Sequence, residues 1–265
     1  SFPTRRSSDL TFITAIFDIY KDKDKDVDIR KTKEKRISKF EELAATGIQI
    51  VLFCCPVYEK LLQSTLNKYL NVKLLAVINL EDLLVYKLCL NYEKTTGKQL
   101  TLPLQRNTIK DTREYMILIN SKVEFIQTAI KLNIWNSNYF CWIDFSILYV
   151  FPEREKPLLK ITYISNETVF NMKDCIITPG YYDKNNNDYL NTVNWRFFGG
   201  LLIGDKTSLL NFTNNALTLF SIFLNMTNKL VWETSYWHFL EQNNYFNPQW
   251  YFARFNDSII NNIPL

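Results

Sequence analysis

Glycine is scarce in this sequence: six residues in 265, none arranged as G-x-G-x-x-G or G-x-x-x-x-G-K-[ST]. The phosphate-cradling loops that depend on closely spaced glycines are therefore excluded. Histidine is scarcer. His238 is the only one, so a zinc centre of His/Cys type or a Ser–His–Asp set would have to use that ring, on an aromatic pattern that suits a core helix. No apolar run approaches the ~18 residues that span a bilayer, so no transmembrane segment is expected. The five cysteines are odd in number, form no C-x-x-C and lie mostly in apolar runs. They read as buried thiols in a reducing, cytoplasmic compartment. A formal net charge of +4 falls short of the clustered basic face that a nucleic-acid partner requires.

What is present is an ordinary globular core, with 47% hydrophobic and 22% charged residues. The decapeptide "SFPTRRSSDL" resembles the in-frame translation of a sequencing adapter and is set aside, leaving residues 11–265 as a single domain. "TFITAIFDI" reads as a strand ending near Asp18. The charge-alternating residues 20–36 follow, either a solvated loop entering a helix or a phosphate clamp. Ile37, Phe40, Leu43 and Ala44 have helical spacing, with Gly47 as the stop. "IQIVLFC" is a strand closed by Pro56, "VYEKLLQSTLNKYL" a helix and "VKLLAVI" a third strand. That alternation predicts βαβ units and a mostly parallel, Rossmann-like sheet flanked by helices. A short helix from Asn79 and a long one over 111–132 lead to a fourth strand, "NYFCWIDFSILYVF". Beyond Pro152, "LLKITYI", "CIITPG" and "NWRFFGGLLIGD" suggest shorter strands, followed by two helices.

Ligands of open parallel sheets bind outside the carboxyl ends of strands, where strand order reverses. Asp18 and Asp144 belong to such ends. In an extended chain Asp144 and Ser146 point to one side, an oxygen pair that suits a hard divalent cation; a strand-end Asp bonded to a nearby amide is the alternative. Trp195 and Arg196 precede Gly199-Gly200, which reads either as a close approach to a sugar or pyrophosphate or as a β-bulge. Glu233 opens an aromatic helix, where the helix dipole favours a carboxylate in any case.

Six segments taken together, "TFITAIFDI", "RISKFEELAATGIQIVLF", "ILINSKVEFI", "FCWIDFSI", "NWRFFGGLLIGDK" and "LVWETSYWHFLE", resemble in order and spacing the HtrL/YibB-type family of bacteria and large DNA viruses. The resemblance implies a GT-A-like glycosyltransferase, with a nucleotide-binding half over 11–151 and an acceptor-side half over 152–265. It implies a nucleoside-diphosphate sugar as donor, a UDP-sugar first among them, and a saccharide or other hydroxyl acceptor. Carried onto this sequence, Asp144 takes the first D-x-D position, with Ser146 in place of the second acid. Asp144, Ser146 and Asp257 would then serve Mn²⁺ or Mg²⁺. Thr14 to Asp18 would lie near the base, Lys122 and Arg254 near the phosphates, and Trp195, Arg196, Gly199 and Gly200 near the donor sugar. Glu233 would act as a base on the acceptor hydroxyl or orient the donor. Relatives often read D-H-x-D-S near the C-terminus, where this chain has Arg254 and Phe255 at the first two positions. That substitution and Ser146 keep open a second reading, a degenerate relative that binds carbohydrate or protein without turnover.

Overall fold

The computed structural model describes residues 9–20, 32–166, 174–182 and 188–264. Most of the charge-alternating stretch, residues 21–31, lies outside the described residues.

The first half folds as its periodicity dictates. Strand β1 (Leu10–Ile16), helix α1 (Lys33–Ala44), β2 (Ile50–Cys54), α2 (Pro56–Lys68) and β3 (Val72–Val77) alternate along the chain. Every residue of β2 is buried, as expected of a parallel strand covered on both faces. Gly47, at φ +80°, supplies the left-handed residue that releases the chain from α1 into β2. Pro56 starts α2 at a position where its missing N–H costs nothing.

Helix α3 (Leu84–Thr96) follows a 3₁₀ turn over Leu80–Asp82, longer than the short helix expected. The single long helix expected over 111–132 is two: α4 (Arg113–Asn120) and α5 (Lys122–Leu132). No glycine or proline marks the break. Polar side chains make it: Ser121 Oγ donates back to the Ile117 carbonyl, and Asn120 donates to the carbonyls of Met116 and Val231.

Strand β4 (Tyr139–Ile143) ends one residue before Asp144. Asp144 therefore lies past the strand end rather than inside it. The chain then turns into a 3₁₀ segment over Ile147–Tyr149, with Ser146 at φ −103°, ψ 22°. The extended geometry that would put the Asp144 and Ser146 oxygens on one side is not adopted.

The second half departs further from expectation. "LLKITYI" is part of helix α6 (Glu155–Asn166), not a strand. Pro157, Ile161, Ile164 and Ser165 are its buried positions, a helical spacing that overrides the β-branched composition. Strands β5 (Ile176–Gly180) and β6 (Leu201–Asp205), helices α7 (Lys206–Thr227) and α8 (Glu233–Gln242), strand β7 (Gln249–Phe252) and helix α9 (Ser258–Asn261) complete the chain. "NWRFFGG" is a loop leading into β6.

All seven strands form one sheet in the order β3-β2-β1-β4-β6-β5-β7. Pairings among β1 to β4 and between β5 and β7 are parallel, and β6 alone runs against its neighbours. Helices α5 and α7 pack on each other and against β4, and α5 also meets β1. The strand order reverses between β1 and β4, which opens a crevice at their carboxyl ends. Residues 9 and 10 belong to the fold: Asp9 accepts from the Asn138 and Tyr139 amides, and Leu10 begins β1. Setting aside the whole decapeptide removes two residues too many.

Candidate functional site

Four elements meet at the crevice. Lys122, the first residue of α5, places its Nζ 2.7 Å from Glu233 Oε1 at the start of α8. The same nitrogen lies 3.0 Å from Asp144 Oδ1, donates to the Gly199 carbonyl at 2.8 Å, and sits over the Trp142 ring. Lys122 and Glu233 are buried, whereas the Asp144 side chain is 40% exposed. Trp142 Nε1 donates to Asp144 Oδ1 at 2.8 Å, and the Asp144 amide donates to the Gly200 carbonyl. Oδ1 is thus committed twice. Oδ2 accepts no hydrogen bond among the described residues.

Gly199 is required by this cluster. A Cβ there would lie 1.9 Å from Glu233 Oε1 and 3.1 Å from Lys122 Nζ. Burial alone would lower the Lys122 ammonium, but the adjacent carboxylates of Asp144 and Glu233 outweigh it and hold the group above its ordinary value. Two acidic side chains against one lysine give the trio a formal charge of −1. That sign favours a cation at Oδ2 over an unaccompanied phosphate.

A divalent ion fits the trio only in part. Among the described residues no three His, Cys, Asp or Glu side chains form a metal-binding group. Asp144 Oδ2 can serve as one carboxylate ligand to an ion that takes its remaining ligands from phosphate oxygens and water, as Mg²⁺ commonly does. Asp257 accepts a hydrogen bond from Asn261 within α9, and Ser146 lies in the turn after Asp144.

Two clefts are lined by other residues. One, of about 450 Å³, lies beyond the carboxyl ends of the first strands and is lined by Asp18, Tyr20, Cys55, Asn79 and Glu114 among others. Asp18 is paired with Lys33 at 2.7 Å, and its amide donates to Cys55 Sγ. Burial pushes the Tyr20 hydroxyl up to about 12, opposed by the charge of Arg36 and reinforced by that of Asp111. Thr14 does not reach this cleft: it is fully buried within β1, its hydroxyl without a hydrogen-bond partner among the described residues. The other cleft, of about 540 Å³, is lined by Tyr181, Tyr182, Trp195, Phe198, Arg254 and Phe255.

Arg196 corrects the sequence reading most clearly. Its guanidinium is buried, donates through two nitrogens to Glu241 at 2.7 and 3.0 Å, and stacks between Phe197 and Trp250. Three of its five N–H groups are committed, the third to the Tyr182 carbonyl, and none of these bonds reaches the trio. Arg254 and Trp195 belong to the aromatic cleft, not to the trio.

The structure also shows residues the sequence did not single out. Trp142 orients Asp144. The Tyr115 hydroxyl is pushed well above its ordinary range by burial, then by Glu233 and Asp144, so it stays protonated beside the trio. Its place in the first turn of α4, three residues from the capping Thr112, was no signal in itself.

A family model described as "Bacterial protein of unknown function (HtrL_YibB)" matches residues 8–232. The chain belongs to this family. The match includes Leu10, Lys122, Asp144 and Gly199-Gly200, and stops one residue short of Glu233. No curated protein matches. Among solved structures, the apo form of mouse xyloside xylosyltransferase 1 is similar at 6% identity, with a TM-score of 0.41, over 92% of this chain and 84% of that one. At that score the likeness carries no conclusion about chemistry.

Proposed function

We propose that the chain is a glycosyltransferase that moves a sugar from a nucleoside-diphosphate donor to a hydroxyl acceptor. The observation that supports this most is the convergence of Lys122, Asp144, Gly199 and Glu233 at the switch point of a mostly parallel sheet. In this reading the cleft beside Asp18 takes the base and ribose. Lys122, with its three N–H groups taken by Glu233, Asp144 and the Gly199 carbonyl, holds the two carboxylates in place rather than contacting the diphosphate. Asp144 Oδ2 supplies the protein ligand to Mn²⁺ or Mg²⁺, and such an ion, when bound, neutralises charge on the departing diphosphate. Glu233 receives the acceptor hydroxyl proton as the new glycosidic bond forms, or it orients the donor sugar. Buried, unpaired thiols at Cys54, Cys55, Cys89 and Cys141 are compatible with a reducing compartment. No helix among the described residues is long and apolar enough to cross a membrane.

Calorimetric titration of UDP and a panel of UDP-sugars with Mn²⁺ tests this reading, with Asp144→Asn as the control. That variant keeps an oxygen to accept from Trp142 and removes the charge. Metal-dependent binding to the wild type, lost in Asp144→Asn at unchanged melting temperature, is the expected result. A panel with neither binding nor sugar release overturns the reading.

A second reading is favoured by Lys122 itself, which occupies one oxygen of each carboxylate. If the trio is purely structural, the chain binds saccharide without transferring it. Binding of an oligosaccharide with no UDP binding under any metal is the outcome that selects it.

A further inference from the structure

The aromatic cleft has a composition that the trio does not explain. Trp195 is 36% exposed, Tyr181 42%, Tyr182 44% and Phe255 61%, a concentration of large rings on a surface where such groups are usually scattered. They are held at angles to one another. Tyr181 meets Tyr182 edge-on, and Trp195 meets both Phe198 and Phe255 with ring centroids 5.5 Å apart. The backbone fixes the frame: the Tyr181 and Tyr182 amides both donate to the Trp195 carbonyl, and the Phe198 amide donates to the Pro179 carbonyl. Gly180 permits this close approach, since a Cβ there would lie 1.8 Å from the Arg196 carbonyl oxygen.

Arg254 is the charged member of the lining. Its amide is bonded to Ser258, but no carboxylate among the described residues pairs with its guanidinium, unlike Arg196, which is paired with Glu241. An aromatic wall with one uncommitted guanidinium fits a ring whose C–H face packs on aromatics and whose edge carries a negative group. The backbone links this wall to the trio: Phe198 is followed directly by Gly199, whose carbonyl accepts from Lys122.

We propose that this cleft is the acceptor subsite and that it selects an anionic sugar, a uronate or a sugar phosphate, through Arg254. The word acceptor rests on the transferase reading; the binding of an anionic saccharide does not.

The test uses the whole chain and three probes: tetragalacturonic acid, its neutral methyl ester, and glucose 6-phosphate against glucose. Binding is followed by tryptophan fluorescence and calorimetry, with UDP plus Mn²⁺ titrated into the same preparations. Tetragalacturonate is expected to bind about tenfold tighter than its methyl ester, and Arg254→Gln to erase the difference. Phe255→Ala, which truncates an exposed ring, is expected to weaken both tetramers about fivefold. Preference for glucose 6-phosphate over glucose, with no discrimination between the tetramers, assigns the anionic group as phosphate. Equal affinity for charged and neutral members of both pairs overturns the proposal, as does discrimination that survives in Arg254→Gln. Loss of UDP binding in Phe255→Ala overturns it too, since the nucleotide would then occupy the cleft. Discriminating saccharide binding with no UDP binding upholds the proposal and sinks the transferase reading.

Discussion

Lys122 and Glu233 are 111 positions apart in the chain and meet at 2.7 Å, each almost fully removed from solvent. A buried pair of this kind is weak evidence of net stabilisation, yet breaking it strands one charge. Lys122→Met should destabilise the fold by about 3–5 kcal/mol. Adding Glu233→Gln to that variant should recover a substantial part, because no buried charge is then left unpaired. Urea denaturation of the two single variants and the double variant reads the coupling; additive losses would show that the two side chains do not interact.

The paired glycines should respond differently to one methyl group. At Gly199 the added carbon meets Glu233 Oε1, which cannot retreat without leaving Lys122; at Gly200 it meets the end of the Ile147 side chain at 2.9 Å, with Asp144 Oδ2 in ordinary contact at 3.7 Å. Gly199→Ala should therefore cost more than about 2 kcal/mol and Gly200→Ala less than about 1. Thermal melts of both proteins check the ranking, and equal losses would contradict the packing described.

Two groups give the stability a defined pH dependence. Burial raises the Glu124 carboxyl, despite hydrogen bonds from the Val85 and Leu84 amides. The folded protein therefore holds that proton more tightly than the unfolded chain, and stability falls as pH rises from about 4.3 through the higher folded value. Glu124→Gln should flatten this slope above about pH 4.3. The Lys122 ammonium is also raised, so its stabilising contribution is complete below about pH 10.4 and disappears as pH climbs through the folded value. Urea midpoints across both windows test the two signs; a Glu124→Gln profile parallel to wild type would rule out the first.

Arg196 should behave as a structural residue. Replacing it by lysine removes the two-nitrogen contact with Glu241 and the stacking on Phe197 and Trp250, at a cost of about 2–4 kcal/mol. UDP affinity of the folded protein should be unchanged. A selective loss of UDP binding at normal stability would return Arg196 to the ligand.

The alternation from β1 to β3 was legible because each segment carried its own period and its own stop, Gly47 and Pro56 among them. Helix α6 was misread because Ile161, Thr162 and Ile164 suit a strand by composition, while the buried positions follow a helical spacing. The break at Ser121 had no local punctuation, and β7 is only four residues long. At the site, strand ends, the paired glycines and a helix start drew attention to Asp144, Gly199-Gly200 and Glu233, family resemblance added Lys122, and the structure brings them together. Sequence could not say what each arginine touches. Arg196 finds Glu241 forty-five positions later, whereas Arg254 ends beside rings from separate loops.

The single sheet limits how the protein can respond to a ligand. Asp144 follows β4, and Gly199-Gly200 precede β6; these two strands are hydrogen-bonded neighbours from Tyr139↔Asp205 to Ile143↔Leu201. No hinge can open between residues 11–151 and 152–265 without tearing that ladder. Any closure over a donor must come from segments at the rim, while the floor holding Asp144 and the glycines stays rigid. The spacing between Asp144 and the paired glycines is therefore set by the register of β4 and β6.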